Sequence, residues 1–138
     1  MSKTGKIAAL LDNLNIKYSQ TEKSIHLRWK TNHFDNLRIK IAPSETDEWI
    51  HIVALFSSFN DIEKSLRYQF AKKMLQASWK YNGIKFALSD QDDVIVAAQT
   101  NDVDLTEGEL QTLIDNVVHG CEILWDISYS LKQTNNTT

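Results

Sequence analysis

The sequence predicts an α+β domain, one antiparallel sheet with helices mainly on one face, from three observations. Short segments alternate apolar and polar residues with a period of two. Three other segments repeat apolar residues at three and four positions. Their order along the chain is α-β-β-β-α-β-β-α. The 138 residues, 42% hydrophobic and 24% charged, suit one folded unit over 4–132, with 133–138 expected as a disordered tail.

Ile7, Leu10, Leu11 and Leu14 define the first helix over 4–14, with Ser2 or Thr4 as cap and Asn15 as a left-handed stop. Ile25, Leu27 and Trp29 then alternate with His26, Arg28 and Lys30, and Leu37, Ile39 and Ile41 with Arg38 and Lys40. The turn-type residues from Thr31 to Asn36 predict a hairpin between these strands. Pro43 ends the second strand, because it brings no N–H to the ladder. Trp49 to Ser57 is apolar on both faces and predicts a central strand.

Asn60 or Asp61 caps a predicted helix reaching about Trp79. One stripe of that helix holds Ile62, Leu66, Phe70, Met74 and Ala77, and a second holds Tyr68, Ala71, Leu75 and Trp79. Asn82-Gly83 breaks it. Ile84, Phe86 and Leu88 form the next strand, Ser89 to Asp93 a turn, and Val94, Val96 and Ala98 the returning strand. Thr106 with Glu109 makes a capping box for the last helix, whose apolar side holds Leu110, Ile114, Val117, Cys121 and Leu124.

No reaction chemistry is marked. His26, His33, His51 and His119 show no ligand spacing with one another or with Cys121, and no phosphate loop or nucleophile elbow is present. Asp90-x-Asp92-Asp93 lacks the glycine and closing glutamate of a calcium loop and reads as a hairpin turn. The expectation is a protein that is not an enzyme, with no catalytic residues, no metal and no cofactor. Residues 1–6 have no signal-peptide pattern, and no run approaches the roughly 20 apolar residues of a membrane span, so a cytoplasmic location is expected.

Two surface features remain. Alternation collects His26, Arg28, Lys30, Arg38, Lys40 and Lys85 on the wet sheet face, while residues 86–131 hold ten acids and no Lys or Arg. This basic face is either simply solvated or a site for nucleic acid or another anion. It has no interleaved aromatic residue for base stacking. The second stripe of the middle helix also needs a cover, supplied either by the first or last helix or by a second subunit. Tyr68, Ala71, Leu75 and Trp79 are accordingly the candidate homodimer interface.

The segment from Ile84-Lys-Phe86-Ala-Leu88 through Val94-Ile-Val96 to Leu105-Thr106-x-x-Glu109-Leu110, with Leu113, Ile114, Val117 and Cys121 following, resembles the C-terminal half of the YbjN-like family. The order of elements over 4–132 is similar to the class I type III secretion chaperones, whose fold that family shares. The resemblance implies a small homodimeric protein-binding domain without catalytic residues, its middle helix contributing to the dimer. It further implies chaperone-like capture of an extended partner segment along apolar grooves and a sheet edge.

Overall fold

A computed structural model describes residues 2–136. Helix α1, Lys3–Asn13, starts where Ser2 Oγ accepts the Gly5 N–H at 3.0 Å, and Asn15 takes the left-handed conformation just beyond its end. Four strands follow: β1 (Ser19–Gln20), β2 (Ile25–Trp29), β3 (Leu37–Pro43) and β4 (Ile50–Ser58). Helix α2 (Arg67–Lys80), β5 (Lys85–Leu88), β6 (Asp93–Thr100) and α3 (Glu107–Asn136) complete the chain. The sheet is antiparallel throughout, in the order β1-β2-β3-β4-β6-β5, so β4 is central as its two apolar faces predict.

Three details differ from the sequence expectation. The two-residue β1 adds a sixth strand, too short to carry a period. The middle helix does not start at Asn60 or Asp61: 3-10 turns at Phe59–Asp61 and Lys64–Leu66 intervene, and α2 begins at Arg67. Arg67 fastens this approach by donating to the Asn60 and Ile62 carbonyls at 2.8 and 2.9 Å. Finally, α3 runs through residues 133–136, which were expected in a disordered tail, while 137–138 lie outside the described residues. An established helix extends at little cost, one hydrogen bond for each added residue.

The alternating residues direct one sheet face to the helices. Ile25, Leu27, Ile39, Ile41, Ile52, Val94 and Val96 are buried there, against Ile7 and Leu11 of α1, Phe70 and Met74 of α2, and Leu110, Ile114, Val117 and Leu124 of α3. Trp29 is half-buried at the margin of this core. Gly120 marks a close approach: a Cβ there would lie 2.4 Å from Val96 Cγ1 and 2.9 Å from Ile84 Cγ2, so only glycine lets α3 settle onto the sheet. At the α3 start the Glu109 N–H donates to Thr106 Oγ1 at 3.2 Å, the first half of the expected capping box. No helix of the described residues is long and apolar enough to cross a membrane.

Candidate interaction surfaces

Helix α2 divides its side chains as the sequence spacing dictates. Phe70, Met74 and Ala77 are buried. On the roughly opposite side, at about 100° per residue, Tyr68, Leu75 and Trp79 are 72%, 67% and 91% exposed, and Ala71 is half-buried. Neither α1 nor α3 of the same chain covers this stripe. The four residues therefore form one apolar strip with two aromatic side chains, the types that most often anchor interfaces.

The sheet face away from the helices carries the cations. Register sets His26 opposite Lys40 and Arg28 opposite Arg38, so two basic cross-strand pairs adjoin. Lys30 lies exposed just past the end of β2. Lys85 stands apart: the row Lys40–Val53–Ala97–Lys85 puts it three strands from Lys40, about 14 Å at the usual strand spacing. Between them the face is aliphatic, with Val53 and Ile95 half-buried and Leu55 51% exposed.

A third surface escaped the sequence reading. The β4 bulge between Leu55 and Ser57 inserts Phe56, which packs near Phe70 and Phe34 with ring centroids 6.3 and 6.0 Å away. Together with Ile62, Leu66, Trp125 and Tyr129 these aromatics line an apolar pocket of about 310 Å³. Phe34 sits among turn residues and shows no periodicity, so no sequence pattern announces it.

One rim of this pocket is tied down. The His33 ring stacks on Trp125 at 3.7 Å, Trp125 stacks on Tyr129 at 5.0 Å, and His33 Nδ1 hydrogen-bonds Glu122. Thr31 Oγ1 also donates to Glu122. Burial pulls the Glu122 carboxyl upward, but the hydrogen bonds from His33 and Thr31 and the nearby histidine charges outweigh it and hold the carboxyl below its ordinary value. Next to it in sequence, the fully buried Cys121 thiol is pushed up to about 12 by burial first and the Glu122 charge second. Such a thiol is a core hydrophobe in practice. Among the described residues no cluster of three or more His, Cys, Asp or Glu could hold a metal ion.

No protein-family model matches the sequence, and no curated protein matches it. Solved structures do match. YbjN from E. coli is similar at TM-score 0.69 and 14% identity, over 91% of this chain and 91% of that one. A chain of the heterodimeric ExoU–SpcU complex from the Pseudomonas aeruginosa type III secretion system is similar at 0.64 and 15%, over 88% and 96%. A chain of the Yersinia pestis type III secretion chaperone SycH in complex with a YscM2 fragment is similar at 0.57 and 15%, over 88% and 98%. At these identities the likeness is one of fold, and it extends over nearly the whole chain: the described residues adopt the fold of YbjN and of chains in the type III secretion chaperone complexes.

Proposed function

We propose that this chain is a non-enzymatic protein-interaction module that pairs with a second copy through Tyr68, Ala71, Leu75 and Trp79 and holds an extended segment of a partner protein. The observation that carries the reading is the exposed apolar stripe, with Trp79 at 91% and Leu75 at 67% exposure on a helix whose opposite face is already in the core. Such a strip costs free energy in water and is the usual mark of an interaction site. A two-fold axis would set the strip against itself, with Ala71 small enough to admit a second helix.

Two further features support partner binding. Strand β1 pairs only with Ile25 and His26, so among the described residues Leu27–Trp29 has no paired strand on its outer edge, and an extended segment can add there by main-chain hydrogen bonds. The apolar pocket beside Phe34, Phe56 and Trp125 is of a size to receive a large apolar side chain from such a segment. The similar chains from the ExoU–SpcU and SycH–YscM2 structures are themselves held in protein–protein complexes, in keeping with chaperone-like use of the fold.

The experiment is light scattering after gel filtration, with circular dichroism to verify folding. The parent is expected as a dimer at high micromolar concentration and Leu75→Glu as a folded monomer, because one charge enters a two-fold interface twice. A monomeric parent, or a Leu75→Glu variant that remains dimeric, removes this stripe as the subunit contact.

A further inference from the structure

We propose that the open face of the sheet is a docking groove for an acidic protein segment that carries aliphatic side chains. A groove of about 660 Å³ runs over this face, and no carboxylate lines it. Arg28 stands directly opposite Arg38, at the roughly 5 Å Cβ separation where like charges repel, and Lys40 lies beside this pair opposite His26. His26 is engaged by Ser24 Oγ at 2.8 Å, but among the described residues Arg28, Arg38 and Lys40 have no ion pair. Among the described residues this block thus has no paired counter-charge, although the chain has ten acids beyond Lys85.

The groove's second half defines the occupant further. Lys40 is followed across the sheet by Val53, and Leu55 pairs with Ile95, so the cations give way to an aliphatic floor. An occupant must bring carboxylates over β2 and β3 and apolar side chains over β4 and β6. A protein segment alternating acidic and aliphatic residues satisfies both demands. Nucleic acid brings negative charge but no aliphatic side chains for the floor, and the groove offers it only the His26 and His51 imidazoles, with no Phe, Tyr or Trp, for base stacking.

The proposal rests on the reading of the chain as a protein-interaction module, but not on dimerisation, since the α2 stripe belongs to the helical layer. Fluorescence anisotropy of labelled probes tests it: a short peptide alternating Asp and Leu, with alternating Lys and Leu, polyglutamate and oligothymidine of equal length as comparisons. The Asp–Leu peptide is expected to bind, and to weaken as salt rises from about 50 to about 300 mM. Arg38→Glu should weaken it about tenfold or more, and Leu55→Ser about fivefold. Both positions are exposed, so the fold is retained, as circular dichroism checks.

Absence of Asp–Leu binding, or full binding by Arg38→Glu, overturns the proposal. Tighter binding of oligothymidine makes the face a nucleic-acid site instead, and equal binding of polyglutamate removes the aliphatic floor from recognition. A dimer that takes no peptide refutes this groove and leaves the dimer standing. A monomer that takes the peptide does the reverse.

Discussion

Replacing Gly120 with alanine inserts one methyl group at the tightest point between α3 and the sheet. Its carbon would lie 2.4 Å from Val96 Cγ1, 2.9 Å from Ile84 Cγ2 and 3.5 Å from Phe86 Cε1. Carbon atoms in contact sit about 3.5–4.0 Å apart, so the first overlap exceeds roughly 1 Å. Val96 and Ile84 are β-branched and stiff about χ1, which leaves a lift of the helix as the main relief. Overpacking of this kind costs about 1–3 kcal/mol, against about 1 kcal/mol gained by removing glycine from a helix interior. With two close overlaps the cost lies toward the upper end, and a net loss of about 1–2 kcal/mol is expected, or a fall in Tm of roughly 4–8 °C. Gly108 on the same helix is the control. Nothing lies within 4 Å of a Cβ there, so Gly108→Ala should be neutral to stabilising. Urea denaturation measures both, and Val96→Ala combined with Gly120→Ala should show favourable coupling in a double-mutant cycle. A Gly120→Ala protein at or above the parent's midpoint would refute the seating of α3 described here.

Two other outcomes follow from the neighbourhood of α3. The Cys121 thiol, pushed up to about 12, should resist thiol reagents at mildly alkaline pH until the protein is unfolded; rapid labelling of the native protein would show the core open there. The Glu122 carboxyl is held lower in the folded than in the unfolded chain, so its contribution to stability is present above the ordinary carboxylate range and is lost as pH falls through the folded value. Glu122→Gln should therefore lower the thermal midpoint at neutral pH and flatten its acid decline, and an unchanged acid profile would exclude the clasp with His33 and Thr31.

What the sequence determined by itself is what depends on local spacing. The period of two in His26-Leu27-Arg28 and Arg38-Ile39-Lys40 dictates which side chains share a sheet face, because a strand turns by half at every residue. The three- and four-residue steps of Phe70, Met74 and Ala77 against Tyr68, Leu75 and Trp79 divide α2 into a core side and an outer side for the same geometric reason. Ser2, Asn15 and Thr106 end helices through hydrogen bonds and backbone angles set within a few residues. Tertiary structure alone decided the rest. Whether the outer stripe of α2 lies under α1 or α3 depends on where those helices cross the sheet, and they leave it bare. That Arg28 meets Arg38 and not a neighbour of opposite sign follows from strand register, which no single strand encodes. Likewise Phe34, Phe56 and Trp125 converge on one pocket from a turn, a bulge and a helix, with His33 stacked behind Trp125 and bonded to Glu122 at a sequence separation of 89, a distance along the chain over which side chains are related by packing and by no period.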